Sequence, residues 1–121
     1  MDLMKTREIA CRVRADFEAG AIDESELKLL YRQYNPLDDI DSFMAHAREM
    51  FPRLNCGLAT VYLKKIFPDG KIAMGKYGEN NHTFLLLDEL VIDITSDQYG
   101  GPKVYVGGLQ SPWSISNIPA T

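Results

Sequence analysis

Apolar positions recur every third or fourth residue through the first half of the chain and every second residue in much of the rest. Ile9, Val13 and Phe17 form a first stripe, interleaved with Arg7, Arg12, Arg14 and Glu18, and predict a helix that ends at Ala19-Gly20-Ala21. Leu27, Leu30, Tyr31 and Tyr34 form a second, with Asp23 or Ser25 as its cap and a stop at Asn35-Pro36. That stop follows because the residue before proline resists the helical region. Ile40, Phe43, Met44, Ala47, Met50 and Phe51 trace the third stripe, capped by Asp38 or Asp39 and closed by Pro52. Leu58, Ala59, Tyr62, Leu63 and Ile66 predict a fourth helix with Cys56 in its first turn, and Phe67-Pro68-Asp69-Gly70 ends it.

From Lys71 the period changes to two. Residues 71–76 alternate weakly, and Tyr77-Gly78-Glu79-Asn80-Asn81 reads as a loop. His82–Leu87 and Leu90–Ile94 are strand-like and join around Asp88-Glu89. Tyr99-Gly100-Gly101-Pro102 reads as a turn, followed by a short strand over residues 103–106. The last dozen residues, including Ser111-Pro112-Trp113, read as an irregular tail draped over the body. Helices first and strands second predict an α+β fold, with the helix of Cys56 packed on a small antiparallel sheet. The pattern divides one domain, residues 1–121, into a helical part (1–50), a core (53–106) and the tail (107–121). No repeat or linker interrupts it.

Composition narrows the function classes. A chain of 121 residues suffices for one self-supporting core. A formal net charge of −4 argues against a nucleic-acid or anionic-membrane surface, although Lys64 and Lys65 are adjacent. No apolar run approaches the roughly 20 residues of a membrane helix. The opening Met1-Asp2-Leu3-Met4-Lys5-Thr6-Arg7-Glu8 lacks a signal-peptide core, which implies a chain cytoplasmic as synthesised, or one secreted as an effector by a signal-free route. Two cysteines and two well-separated histidines supply neither a disulfide framework nor a metal site, and no cofactor is implied.

The informative residues are Cys56, His82 and Asp93, the minimum set for a thiolate with an oriented base. A two-residue turn at Leu87-Asp88 pairs Phe84 with Val91 and His82 with Asp93, about 5 Å apart on one face. A three-residue loop would put Asp93 on the other face. A cysteine in the first turn of a helix gains from the positive helix end, and the free amides there suit an oxyanion. Taken singly, Cys56 or His82 is more often a packing residue. Asp93, between Ile92 and Ile94, is costly unless paired, though it could instead cap a turn at Thr95-Ser96. Cys11 and the stripe of Phe43, Met44, Met50 and Phe51 read as packing, and His46 as half-solvated.

Asn55-Cys56-Gly57-Leu58-Ala59, then Asn81-His82-Thr83-Phe84, then Asp93-Ile94-Thr95-Ser96-Asp97-Gln98-Tyr99 resemble papain-like cysteine hydrolases. More narrowly, the chain is similar to small bacterial members of the papain and transglutaminase-like superfamily, and papain-fold toxins with glutamine-deamidase activity share the same residue order. The resemblance spans residues 53–106. It implies Cys56 as nucleophile, His82 as base and acid, Asp93 as orienter, and Gln98 as a loop-holding or substrate-contacting residue. The glutamine that serves the oxyanion in papain has no counterpart here, which leaves Asn55 as the candidate, and Asp97 is an alternative third member. The implied reaction is hydrolysis of an amide in a protein or peptide, at the backbone or a glutamine side chain. An acyltransferase (transglutaminase-like) activity and a non-catalytic binding or adaptor module are the competing readings.

Overall fold

The computed structural model describes residues 2–117. Four helices precede the strands: α1 (Leu3–Glu18), α2 (Glu24–Tyr34), α3 (Ile40–Met50) and α4 (Cys56–Ile66). The strands are β1 (Lys71–Tyr77), β2 (Asn80–Leu87), β3 (Leu90–Asp93), β4 (Tyr105–Gly108) and β5 (Trp113–Asn117), with a 3₁₀ turn at Ser96–Tyr99. The fold is α+β. Local chemistry explains the helix starts: the Asp2, Asp23 and Asp39 carboxylates accept from the backbone N–H groups of Met4, Glu26 and Ser42. Among the described residues, no helix is long and apolar enough to cross a membrane.

All pairings in the sheet are antiparallel, in the order β4-β3-β2-β1-β5. One face carries Ile72, Leu85, Leu87 and Ile92, which pack with Leu58, Leu63 and Phe67 of the α4 region and with the buried stripes of α1, α2 and α3. The other face carries a smaller cluster of Ala73, Phe84, Val91 and Trp113, flanked by Tyr77, Leu86, Tyr105 and Ile115. Side chains alternate along a strand, so His82 and Phe84 share this second face.

Several expectations are corrected. Tyr77–Asn81 is not a loop: Tyr77 pairs with Asn80, leaving a two-residue turn with Gly78 at φ 62°. The tail is not irregular, because Trp113–Asn117 becomes an edge strand against β1; residues 118–121 lie outside the described residues. The strand expected at 103–106 forms at Tyr105–Gly108. Cys11 and His46 are exposed, and Met50 is exposed rather than core, because α3 ends there with that side chain turned outward.

The β2–β3 register also differs. Leu87 pairs with Leu90 around Asp88-Glu89, and Asp88 has the positive φ (54°) that mirror-image hairpin turns require. This moves every pair by two residues. Continuing the count places Asp93 across from Phe84, diagonal to His82 rather than opposite it. A shift of two preserves the face, so both side chains still point the same way.

Candidate active site

The first turns of α4 meet the first half of β2. The Thr60 hydroxyl lies 2.6 Å from the Cys56 carbonyl oxygen and 3.2 Å from that of Thr83, so its one proton is shared between helix and strand. This sets Cys56, one turn earlier, beside His82 at the margin of the sheet.

His82 is buried, and its Nε2–H donates to Asp93 Oδ2 at 2.7 Å. Asp93 is 2% exposed and held from three directions. Trp113 Nε1–H donates to the same Oδ2 at 2.8 Å, and the Thr95 backbone N–H donates to Oδ1 at 2.9 Å. A buried carboxylate so completely bonded has no rotational freedom, and it fixes both the tautomer and the plane of the imidazole. His82 Nδ1 is the nitrogen left over, buried and without a conventional partner. Cys56, itself half-buried, perturbs the ring and is perturbed by it. Thiol and imidazole are neighbours with no formed hydrogen bond between them.

The electrostatics favour the charged pair. Burial pushes the Cys56 thiol up, but the adjacent His82 imidazole with its charge and the Thr83 backbone bring it below its ordinary value. Burial also opposes the His82 charge. The hydrogen bond to Asp93, the neighbouring Cys56 and the charges of those two groups outweigh it, raising His82 to about 9. Each charged form therefore favours the other.

The remaining candidates separate cleanly. Asp97 is not available to His82. It takes both terminal nitrogens of the buried Arg14, at 2.7 and 2.9 Å, while the same guanidinium donates to the Ile94 carbonyl at 2.8 Å. Arg14 thus clamps the segment that carries Thr95, and Asp93 is the carboxylate bonded to His82. The Asn55 side chain has no proton to offer an oxyanion, because its Nδ2 donates to the carbonyls of Ala47 and Arg53, each at 2.8 Å. Asn55 instead ties the start of α4 to the end of α3. Since its side chain turns away from the helix end, no side-chain cap occupies the first amides of α4. Gln98 is half-buried with Nε2 lacking an acceptor among the described residues, and no hydrogen bond joins it to Cys56 or His82.

Sequence reasoning missed Trp113, Tyr99 and Tyr31. Trp113-Ser114-Ile115-Ser116 alternates apolar and polar residues, the strand signal that would have placed Trp113 in the sheet. Gly75 lets this edge strand approach: a Cβ there would sit 2.0 Å from the Ser114 carbonyl oxygen, and Gly75 pairs with His82 itself. The Tyr99 ring packs edge-on to His82 at 5.3 Å, and its hydroxyl donates to the Asn81 carbonyl at 3.0 Å. No sequence signal marked Tyr31, which comes from α2. Away from the site, a cavity of about 340 Å³ among Phe17, Leu27, Met44 and Leu58 includes neither Cys56 nor His82. Among the described residues, no three His, Cys, Asp or Glu side chains converge as metal ligands. Comparison of the chain with protein-family models, curated proteins and solved structures gives no match.

Proposed function

We propose that this chain is a cysteine-dependent amide hydrolase with a papain-like arrangement. The supporting observation is His82, locked by Asp93 at Nε2 with a buried, unpartnered Nδ1 left for the Cys56 thiol. The Cys56 thiolate adds to the amide carbon, forming the C–S bond while the carbonyl π pair moves onto oxygen. The free amides at the start of α4 face that developing charge. When the carbonyl re-forms, the C–N bond breaks, and the imidazolium of His82 delivers its proton to the departing nitrogen. Neutral His82 then takes a proton from water as the water oxygen attacks the thioester. Collapse releases the acid and restores thiolate and imidazolium. The chain's small size and its resemblance to the toxin-type sequences favour a glutamine side-chain amide or a short peptide as substrate.

Alkylation tests the nucleophile without a known substrate. At about pH 6 to 7, below the free-thiol pKa, iodoacetamide should label Cys56 well ahead of both exposed Cys11 and glutathione. His82→Ala should remove that advantage. Labelling of Cys56 no faster than glutathione would refute the proposal.

A further inference from the structure

The reaction proposed above needs a donor for the tetrahedral oxyanion beyond the helix amides, and Asn55 has no proton to give. The geometry points to Tyr31 as that donor, its phenol O–H completing the oxyanion site at the first turn of α4. This inference rests on the hydrolase reading and adds a residue to it.

Tyr31 is 8% exposed, and its hydroxyl accepts from Asn35 Nδ2 at 3.3 Å. Among the described residues the hydroxyl's own proton has no acceptor. A phenol O–H with no internal acceptor has a proton to give to a bound group. The ring lies over Gly57, the residue after the nucleophile. A Cβ on Gly57 would stand 3.0 Å from Tyr31 Cε1 and 3.6 Å from its hydroxyl oxygen. Gly57 has a helical neighbourhood in which glycine costs about 1 kcal/mol against alanine, so the close approach of Tyr31 is its physical justification. Phe43 stacks on the Tyr31 ring, with centroids 5.1 Å apart and planes at 14°, which holds the phenol in place before any substrate arrives.

A second phenol serves as an internal contrast. Tyr99 also lies near the thiol, but its proton is already given to Asn81. Both hydroxyls resist ionisation: burial is the larger cause for each, and the charge of Cys56 adds to it. A phenol kept protonated beside a thiolate remains a hydrogen-bond donor through neutral pH. Only Tyr31 combines that state with a free proton, a position against the helix start and a fixed ring.

The test compares two reactions of the same thiol. Acylation by p-nitrophenyl acetate passes through a tetrahedral oxyanion, whereas alkylation by iodoacetamide does not. Each rate is taken as the part lost in Cys56→Ala. Tyr31→Phe removes one oxygen and keeps the stacked ring, so the acylation rate should fall on the order of 10²-fold, the usual cost of one oxyanion donor. The alkylation rate should stay within about twofold, because the thiolate is untouched. Gly57→Ala, which displaces the Tyr31 ring, should reproduce the selective loss in acylation. Equal losses in both reactions would assign the hydroxyl to the thiolate and overturn the inference, as would no loss in either. Failure of wild-type Cys56 to outpace glutathione in alkylation would instead overturn the hydrolase reading itself.

Discussion

At the scale of single residues, the site is governed by how few protons are left unassigned. Asp93 receives N–H groups from His82, Trp113 and Thr95, and Asn55 spends both amide protons on backbone carbonyls. His82 Nδ1 and the Tyr31 proton remain, one on each side of the thiol's chemistry. The reactive form requires a thiolate and a protonated imidazole together. For the proposed hydrolase, turnover should therefore rise as Cys56 ionises, below the ordinary thiol value, and fall as His82 loses its proton at about 9. Asp93→Asn presents an NH₂ group where donors converge and removes the charge that helps raise His82. The alkaline limb should move down from about 9 towards the ordinary imidazole value, read from the pH profile of p-nitrophenyl acetate acylation. The same linkage acts on stability. A raised folded-state pKa contributes fully below the unfolded value near 6.5 and is lost as pH rises through about 9.

At the scale of elements, the candidate site is assembled by contacts from parts of the chain far from it in sequence. Arg14 of α1 holds both the Ile94 carbonyl and the Asp97 carboxylate, and its guanidinium lies over Phe51 at 4.7 Å. Arg14→Met leaves a carboxylate without its partner and frees the segment of Thr95. It should cost about 3 kcal/mol in urea denaturation, as breaking a buried pair does, and should slow Cys56 alkylation. A gain in stability would argue that hydrophobic packing replaces the clamp. The β1–β5 contact makes a different demand. Gly75→Ala drives a methyl group into the Ser114 carbonyl, so β5 must shift and take Trp113 off Asp93. The expected outcome is weakened near-ultraviolet circular dichroism from Trp113 together with slower alkylation. A wild-type spectrum would show that the edge strand tolerates the methyl.

At the scale of the whole molecule, the division of labour follows from how far information must travel along the chain. Helix positions, caps and the α+β class were legible because apolar period, Asp23, Asp39 and Asn35-Pro36 act over one or two turns. The face shared by His82 and Asp93 was legible too, since strand alternation is a parity rule that a two-residue change of register leaves intact. The register itself was not: whether Leu87-Asp88 or Asp88-Glu89 makes the turn depends on backbone conformation at Asp88 and on packing of Leu85, Leu87 and Ile92. The choice of Asp93 over Asp97 required Arg14, some 80 residues away, to claim the other carboxylate. By itself the sequence determined the four helices and the α+β class and nominated Cys56, His82 and Asp93, because those follow from local period and residue chemistry, whereas the β1–β2 hairpin at Tyr77–Asn80 and the edge strand of Trp113 did not. Only the tertiary structure decided which protons remain free, bringing Trp113 to Asp93, turning Asn55 away and laying Tyr31 over Gly57, because hydrogen-bond partners are chosen by proximity in space.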